Sequence, residues 1–207
     1  MTLSAVETNN LKQAPAVQGV LPVIHHRWSP RSYSDRPVAA ADLARVFEAA
    51  RWAPSSNNEQ PWRFIVGVRG TSTYDKIFHT LVGFNQNWAG MAPVLVLGVA
   101  HSVFVRNGRP NGYALYDLGA ATAYLVLQAT ALGLAAHQMG GYDQQAARQA
   151  LTIPEDYVLG SVMALGYQGE PAALTQEQLL AQEIAPRERK PLSAVAFSDW
   201  ETPADLG

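Results

Sequence analysis

The chain has 207 residues, 48% of them apolar and only 15% charged, with a formal net charge of −2. That length suits one domain with a sizeable core, and the charge argues against a nucleic-acid or anionic-membrane surface protein. The absence of cysteine excludes disulfides, thiolate chemistry, zinc fingers and iron–sulfur sites.

The opening residues, MTLSAVETNNLKQAP, have no basic head and no apolar core, so they do not read as a secretory signal. No apolar run approaches the ~20 residues of a membrane span. The expectation is a cytoplasmic protein. Residues 1–20 read as a poorly ordered arm that settles only against a partner. Residues 21–207 read as a single domain, because no repeat or low-complexity linker divides them. A charged fraction well below the roughly 25% of ordinary soluble domains leaves apolar surface for a second subunit.

LPVIHHRWSPRSYSDR, residues 21–36, is polar and basic and is broken by Pro30. Arg27, Ser29 and Arg31 alternate along an extended segment, so they share a face. Two guanidiniums and a hydroxyl there suit a phosphate clamp or, alternatively, a solvated basic loop. His25 and His26 are adjacent, have no third partner at metal-ligand spacing and do not suggest a metal site.

The spacing of Leu43, Val46, Phe47 and Ala50 predicts a helix over 38–51, stopped by Pro54. WAPSSNNEQPWRF follows, at 52–64. It places five small or amide side chains between two prolines and two tryptophans, more polar groups than a connecting loop needs. Trp62–Val68 reads as a strand, 72–81 as a weaker helix, and PVLVLGVA at 93–100 as a central strand buried on both faces. RNGRPNG at 106–112 reads as a flexible loop.

Tyr116–Leu132 is the longest predicted helix, with Asp117 at its start and small residues at 120–123 where another helix could approach. Leu134–Met139 is a short strand. HQMGGYD, 137–143, ends it, and Gly140-Gly141 lets backbone approach a ligand or simply turns the chain into a helix capped by Asp143. His137 is one imidazole among apolar residues, more readily a hydrogen-bonded core residue than a base. Val158–Tyr167 is a further strand. Thr175 and Gln178 suggest a capping box for a last helix. The tail carries Arg187, Arg189 and Lys190, then a strand-like SAVAF patch. Twelve of the fifteen basic residues are arginine, the side chain suited to bidentate anion recognition. The elements imply an α+β, three-layer arrangement. The dinucleotide fingerprint G-x-G-x-x-G and the GK[ST] phosphate loop are both missing. No convincing acid–base pair or nucleophile stands out, which points to chemistry carried by a cofactor.

RWSPRSY, APSSNNEQPWRF, FNQNWA, HQMGGYD and RERKPL occur in the order found in the nitroreductase family of FMN-dependent oxidoreductases, which this chain resembles from about residue 21 to its end. The resemblance implies a mainly antiparallel central sheet flanked by helices, and a homodimer with an exchanged C-terminal extension. It implies FMN as cofactor, NADH or NADPH as electron donor, and no catalytic side chain or metal. Arg27, Ser29, Arg187 and Arg189 would hold the phosphate, with Lys190 beside the last two, and Trp28 would belong to the same cofactor-binding segment. Arg31 and Asn85, or Asn87, would meet the pyrimidine edge. Gln138, Met139, Gly140 and Gly141 would pass along the ring, with the glycine N–H groups toward N5 and O4. Pro54, Ser55, Ser56 and Asn58 would reach the flavin of the other subunit. Many members carry an acidic residue where Gly140 stands. The implied reaction passes hydride through FMN, in a ping-pong scheme, to a nitroaromatic, quinone or activated alkene. Dehalogenation, flavin fragmentation, small-aldehyde reduction and a non-enzymatic flavin- or phosphometabolite-binding module are the competing readings. Trp88, Tyr142 and the 106–112 loop are candidates for lining the acceptor pocket.

Overall fold

The apolar run near residue 94 becomes the innermost part of a four-stranded sheet in the computed structural model, which describes residues 3–206. In chain order the helices are α1 (Ala5–Leu11), α2 (Pro22–His26), α3 (Ala40–Arg51), α4 (Ser72–Thr80), α5 (Gly83–Ala89), α6 (Ala114–Ala131), α7 (Gln144–Leu151) and α8 (Glu177–Ile184). The strands are β1 (Trp62–Val68), β2 (Val94–His101), β3 (Ala135–Met139), β4 (Tyr157–Gly166), β5 (Phe197–Asp199) and β6 (Thr202–Pro203). The main sheet runs β1-β2-β4-β3 and every pairing in it is antiparallel.

Strand β2 shows why its sequence does not alternate. Leu95, Leu97 and Val99 point to one face, where Ile77, Leu81, Trp88, Met139 and Val162 pack. Val94, Val96 and Ala100 point to the other, against Val46, Leu118, Leu125 and Leu165. Helices cover both faces, so both sets of side chains leave water. The three-layer α+β arrangement expected from sequence is the one observed. A Cβ on Gly67 would lie 2.5 Å from the Tyr74 Cα, so β1 and α4 meet backbone to backbone where only glycine fits.

Several elements depart from expectation. Residues 1–20, read as a poorly ordered arm, hold α1, which has a complete capping box between Ser4 and Glu7. Helix α1 docks on its own chain, with Thr8 and Lys12 buried. Residues 22–26 form a short helix opened by Pro22. The FNQNWA stretch is helix α5, too short for a periodic signal. Helix α6 begins before Asp117, with Tyr113 as N-cap. The expected Thr175 capping box is absent: α8 starts at Glu177, and its N-cap Gln176 makes no side-chain cap bond. Near the SAVAF patch, 192–194 form a 3₁₀ turn and Phe197 opens the β5–β6 hairpin.

Helix α6 is apolar all round. Leu118, Ala121, Leu125 and Ala129 are buried under the sheet, while Leu115, Tyr116 and Tyr124 are exposed along the opposite side. The C-terminal segment likewise exposes Leu192, Val195, Phe197 and Trp200.

Candidate active site

The chain leaves helix α2 at Arg27 in extended backbone, and several groups from His25 to Ser32 are tied down. The His25 carbonyl accepts from Ala14 N (3.0 Å) and Arg187 Nη2 (2.7 Å), and the Arg27 carbonyl accepts from Arg187 Nη1. The Trp28 indole donates to Asn9 Oδ1 at 2.8 Å. The Pro30 carbonyl meets His137 Nδ1 at 2.9 Å. Buried Glu183 accepts from the N–H groups of Arg31 (2.9 Å to Oε2) and Ser32 (3.2 Å to Oε1).

This scaffold holds a concentration of positive charge. Arg27 Nη1 donates to Ser29 Oγ at 3.2 Å, so these two predicted partners do share a face. Burial lowers the Arg27 pKa, and nearby Arg189 lowers it further. Burial also lowers those of Arg31 and Arg187, the latter with help from Arg27 and Arg189. Among the described residues, none of these four guanidiniums forms an ion pair. Buried Arg31 Nε and Arg187 Nε have no hydrogen-bond partner. Uncompensated, partly desolvated cations with unfilled donors are what an anionic ligand would satisfy. Arg27, Trp28 and the α6 C-terminal end line a cleft of about 330 Å³. Arg187 lies against the 25–27 backbone, whereas the Arg189 and Lys190 side chains are exposed.

Arg31 projects over the buried Trp88 ring, 5.9 Å from its centroid. His137 lies 4.5 Å from the other side of this cluster, ring to ring with Trp88. Trp88 is 1% exposed and Tyr142 is buried with its hydroxyl on the Gly160 carbonyl. Neither lines an acceptor pocket as the sequence suggested; both are core. The Trp28 side chain is likewise turned toward α1, and Met139 is packed in the core, so each offers a ligand mainly its backbone.

Burial separates the two asparagines of FNQN. Asn87 is exposed, while Asn85 is buried and donates from Nδ2 to the Gly141 carbonyl at 2.9 Å. A Cβ on Gly141 would lie 2.8 Å from that nitrogen, so a side chain there would displace the Asn85 amide. A Cβ on Gly140 would meet nothing within 4 Å. The acidic side chain common in the family would fit there, and its absence removes no packing. Gln138 is exposed beside Ser161 Oγ.

The amide-rich loop is elsewhere. Ser55 Oγ accepts from Gln60 N at 2.9 Å, and Ser56 N donates to the buried Asp117 at 3.1 Å. Asn57, Asn58 and Gln60 all have positive φ, near 50°. Three non-glycine residues in that region cost on the order of 1 kcal/mol each or more, so the shape is enforced. Asp117, read from sequence as a helix-start charge, is the anchor of this loop. Pro54 to Asn58 therefore sit at the N-terminal end of α6, and Arg27 sits at its C-terminal end. About 20 Å of helix separates them in one chain. Two further residues escaped the sequence reading, Lys12 and Glu183. Glu183 follows Leu179 by four positions on the buried face of α8, and a carboxylate at a core position signals hidden donors.

Comparison with known proteins decides the lineage. The model of the nitroreductase family matches residues 24–167. The chain belongs to the nitroreductase family. A protein of Archaeoglobus fulgidus described as "Putative NADH dehydrogenase/NAD(P)H nitroreductase" is 34% identical over 151 residues, spanning 71% of this chain and 84% of its own. A solved structure described as an oxidoreductase containing FMN superposes with a TM-score of 0.83 at 32% identity, covering 96% of this chain and 97% of its own. A nitroreductase of Desulfovibrio desulfuricans solved in complex with FMN gives a TM-score of 0.70 at 26% identity, over 89% and 98% of the two chains.

The His137 environment makes a prediction. Burial holds its pKa down to about 4, against an ordinary 6.5. Between those values the unfolded chain binds more protons than the folded one. The stabilising contribution is complete above pH 6.5 and is lost as pH falls toward 4. In urea unfolding of the flavin-free protein, moving from pH 7 to pH 5 should cost wild type on the order of 2 kcal/mol more than it costs His137→Gln. Parallel losses in the two proteins would show that the imidazole is not held neutral.

Proposed function

We propose that this nitroreductase-family chain is an FMN-dependent oxidoreductase that takes hydride from NADH or NADPH and gives it to a small electron-poor acceptor such as a nitroaromatic, a quinone or an activated alkene. The observation that carries the reading is the group of Arg27, Arg31, Arg187 and Arg189, which has no ion-pair partner among the described residues and keeps buried unfilled donors on Arg31 and Arg187. A phosphate monoester dianion attached to a ring system matches that charge and the neighbouring polar edge.

Arg27, Ser29, Arg187 and Arg189 would hold the phosphate. Arg187 does so while bracing the 25–27 backbone, and Arg189 swings from an exposed position. Arg31 and Asn85 would face the pyrimidine edge, Arg31 supplying a fixed cation where negative charge grows on reduction. The N–H groups of Gly140 and Gly141 would meet the opposite edge, with the Gly141 carbonyl already occupied by Asn85 and by Val82 N. Bound FMN would supply the redox chemistry, which needs orientation more than proton transfer. No side chain is assigned as catalytic. Donor and acceptor would use one exposed face in turn.

A two-chain site follows from the α6 geometry. Pro54, Ser55, Ser56 and Asn58 are separated within one chain from the arginines by the length of that helix, so if they meet the flavin a second copy would present them. The exposed side of α6 supplies the contact face, with Leu115, Tyr116 and Tyr124 around exposed small residues Gly119 and Ala123. The exposed apolar C-terminal segment would be exchanged onto the partner.

Purified protein is expected to be yellow, with one flavin per chain, and reduced nicotinamide added without oxygen should bleach it. Colour should return on adding a quinone or nitroaromatic. Flavin that is never bleached by either nicotinamide would remove the reductase reading. Arg27→Ala should weaken FMN binding by roughly 1.5–3 kcal/mol. The same change should not lower the unfolding midpoint of flavin-free protein, since Arg27 has only Ser29 as side-chain hydrogen-bond partner and is repelled by Arg189. Unchanged FMN affinity would displace the phosphate from this segment. Ala123→Glu, at an exposed position, should give a folded monomer that has released its flavin, seen by light scattering with absorbance. A monomer retaining flavin would refute the shared site.

A further inference from the structure

Helix α1 lies before the residues matched by the family model, yet it reaches the arginine cluster. Asn9 holds the Trp28 indole, Ala14 N holds the His25 carbonyl, and Ala5 N donates to Glu170 at 2.9 Å. Between them Lys12 is 6% exposed. Its Nζ donates to the Gln182 carbonyl at 2.9 Å and lies 4.9 Å from the centre of the Trp28 ring. The next residue, Glu183, is fully buried and is the carboxylate whose oxygens carry Arg31 N and Ser32 N.

A buried carboxylate here has two opposed effects. It fixes the backbone that aims Arg31. It also places a negative charge beside that guanidinium, offsetting the field an anionic ligand would use. A second cation near Glu183 reduces the second effect and keeps the first. Lys12 is that cation. Its field favours the ionised form of Glu183, against the upward pull of burial. Glu183 in turn favours the charged form of Lys12, against burial and the repulsion of Arg31 and Arg187. The chain would otherwise gain nothing from burying an ammonium among arginines.

Resting on the flavin reading above, we propose that Lys12 is the counter-cation of Glu183 and a positioning residue of the anion site, contributed by the N-terminal arm so that Arg31 keeps its full charge for the bound phosphorylated flavin. The arm is therefore part of cofactor retention, through charge balance rather than through direct contact with the ligand.

The test compares FMN with riboflavin, which has the same ring and no phosphate, binding to flavin-stripped full-length protein by fluorescence quenching. Lys12→Met should lose about tenfold in FMN affinity, the scale of one unit charge acting through a partly buried site. Riboflavin affinity should fall by a similar factor, because Arg31 faces the ring edge that both flavins share. Lys12→Arg should bind FMN as wild type does, and Lys12→Met with Glu183→Gln should recover most of the loss. Unchanged FMN binding in Lys12→Met would overturn the proposal. So would a loss with no recovery in the double variant, which would mean that Lys12 only packs the arm. Should Lys12→Met not fold, Glu183→Gln alone decides. Its carboxamide oxygen still accepts from Arg31 and Ser32, so FMN must bind at least as tightly as to wild type, and weaker binding would overturn the proposal. Wild-type protein that binds neither flavin would sink the flavin reading itself, and that control separates the two failures.

Discussion

Like charges gathered in a partly desolvated corner set the terms for the rest of this molecule. Burial depresses the pKa of Arg27, Arg31 and Arg187, and Arg27 and Arg187 are depressed further by neighbouring arginines, Arg189 among them. Such a cluster opposes folding in the absence of a ligand. It persists because the backbone beneath it is over-determined. The His25 and Arg27 carbonyls take Arg187, the Pro30 carbonyl takes His137, and the Arg31 and Ser32 N–H groups take Glu183. Strain of this kind is tolerated where a ligand later relieves it, and binding then contributes to stability by mass action.

The second constraint is spatial. Helix α6 spans the molecule with the arginine cleft at one end and the Asp117-anchored loop at the other. Both ends are rigid, the loop because Ser55, Ser56 and three left-handed residues fix its shape. Rigid parts held apart cannot close on one ligand by a small movement. Symmetry offers the economical solution: a two-fold axis beside α6 would bring the loop of one copy to the arginines of the other, using the helix's exposed apolar side as the contact.

The parts of this design legible in the sequence share one property, locality. Strands such as Trp62–Val68 and the capped helix after Asp143 follow from short-range pattern, and the observed bounds match. The Arg27–Ser29 pairing follows from period-two alternation. What could not be read depends on contacts across the chain. Glu183 reaches back 152 positions to Arg31, and Lys12 reaches forward 170 to Gln182. The polar composition of residues 1–20 suggested an unsettled arm because nothing local reveals that Asn9 will meet Trp28. Trp88 read as a pocket residue because aromatic residues near amides often line ligands; its burial between Tyr33, His137 and Arg31 is a tertiary fact. The left-handed turn at Asn57–Asn58 was only half visible, since asparagine tolerates positive φ but Gln60 does not advertise it.

Charge balance links these separate readings. One carboxylate serves as the backbone anchor for a segment that must present bare guanidiniums. That role would be self-defeating if Arg31 were its nearest electrostatic partner. The neutralising charge must come from another cation, and it must be unable to swing toward the phosphate itself. A lysine with its ammonium fixed on the Gln182 carbonyl and its stem against Trp28 meets both requirements. An arm that docks through Asn9, Ala14 and Lys12 thus places its charge only when the segment beneath is already in its binding geometry. Folding of the arm and readiness of the anion site are, on this account, the same event.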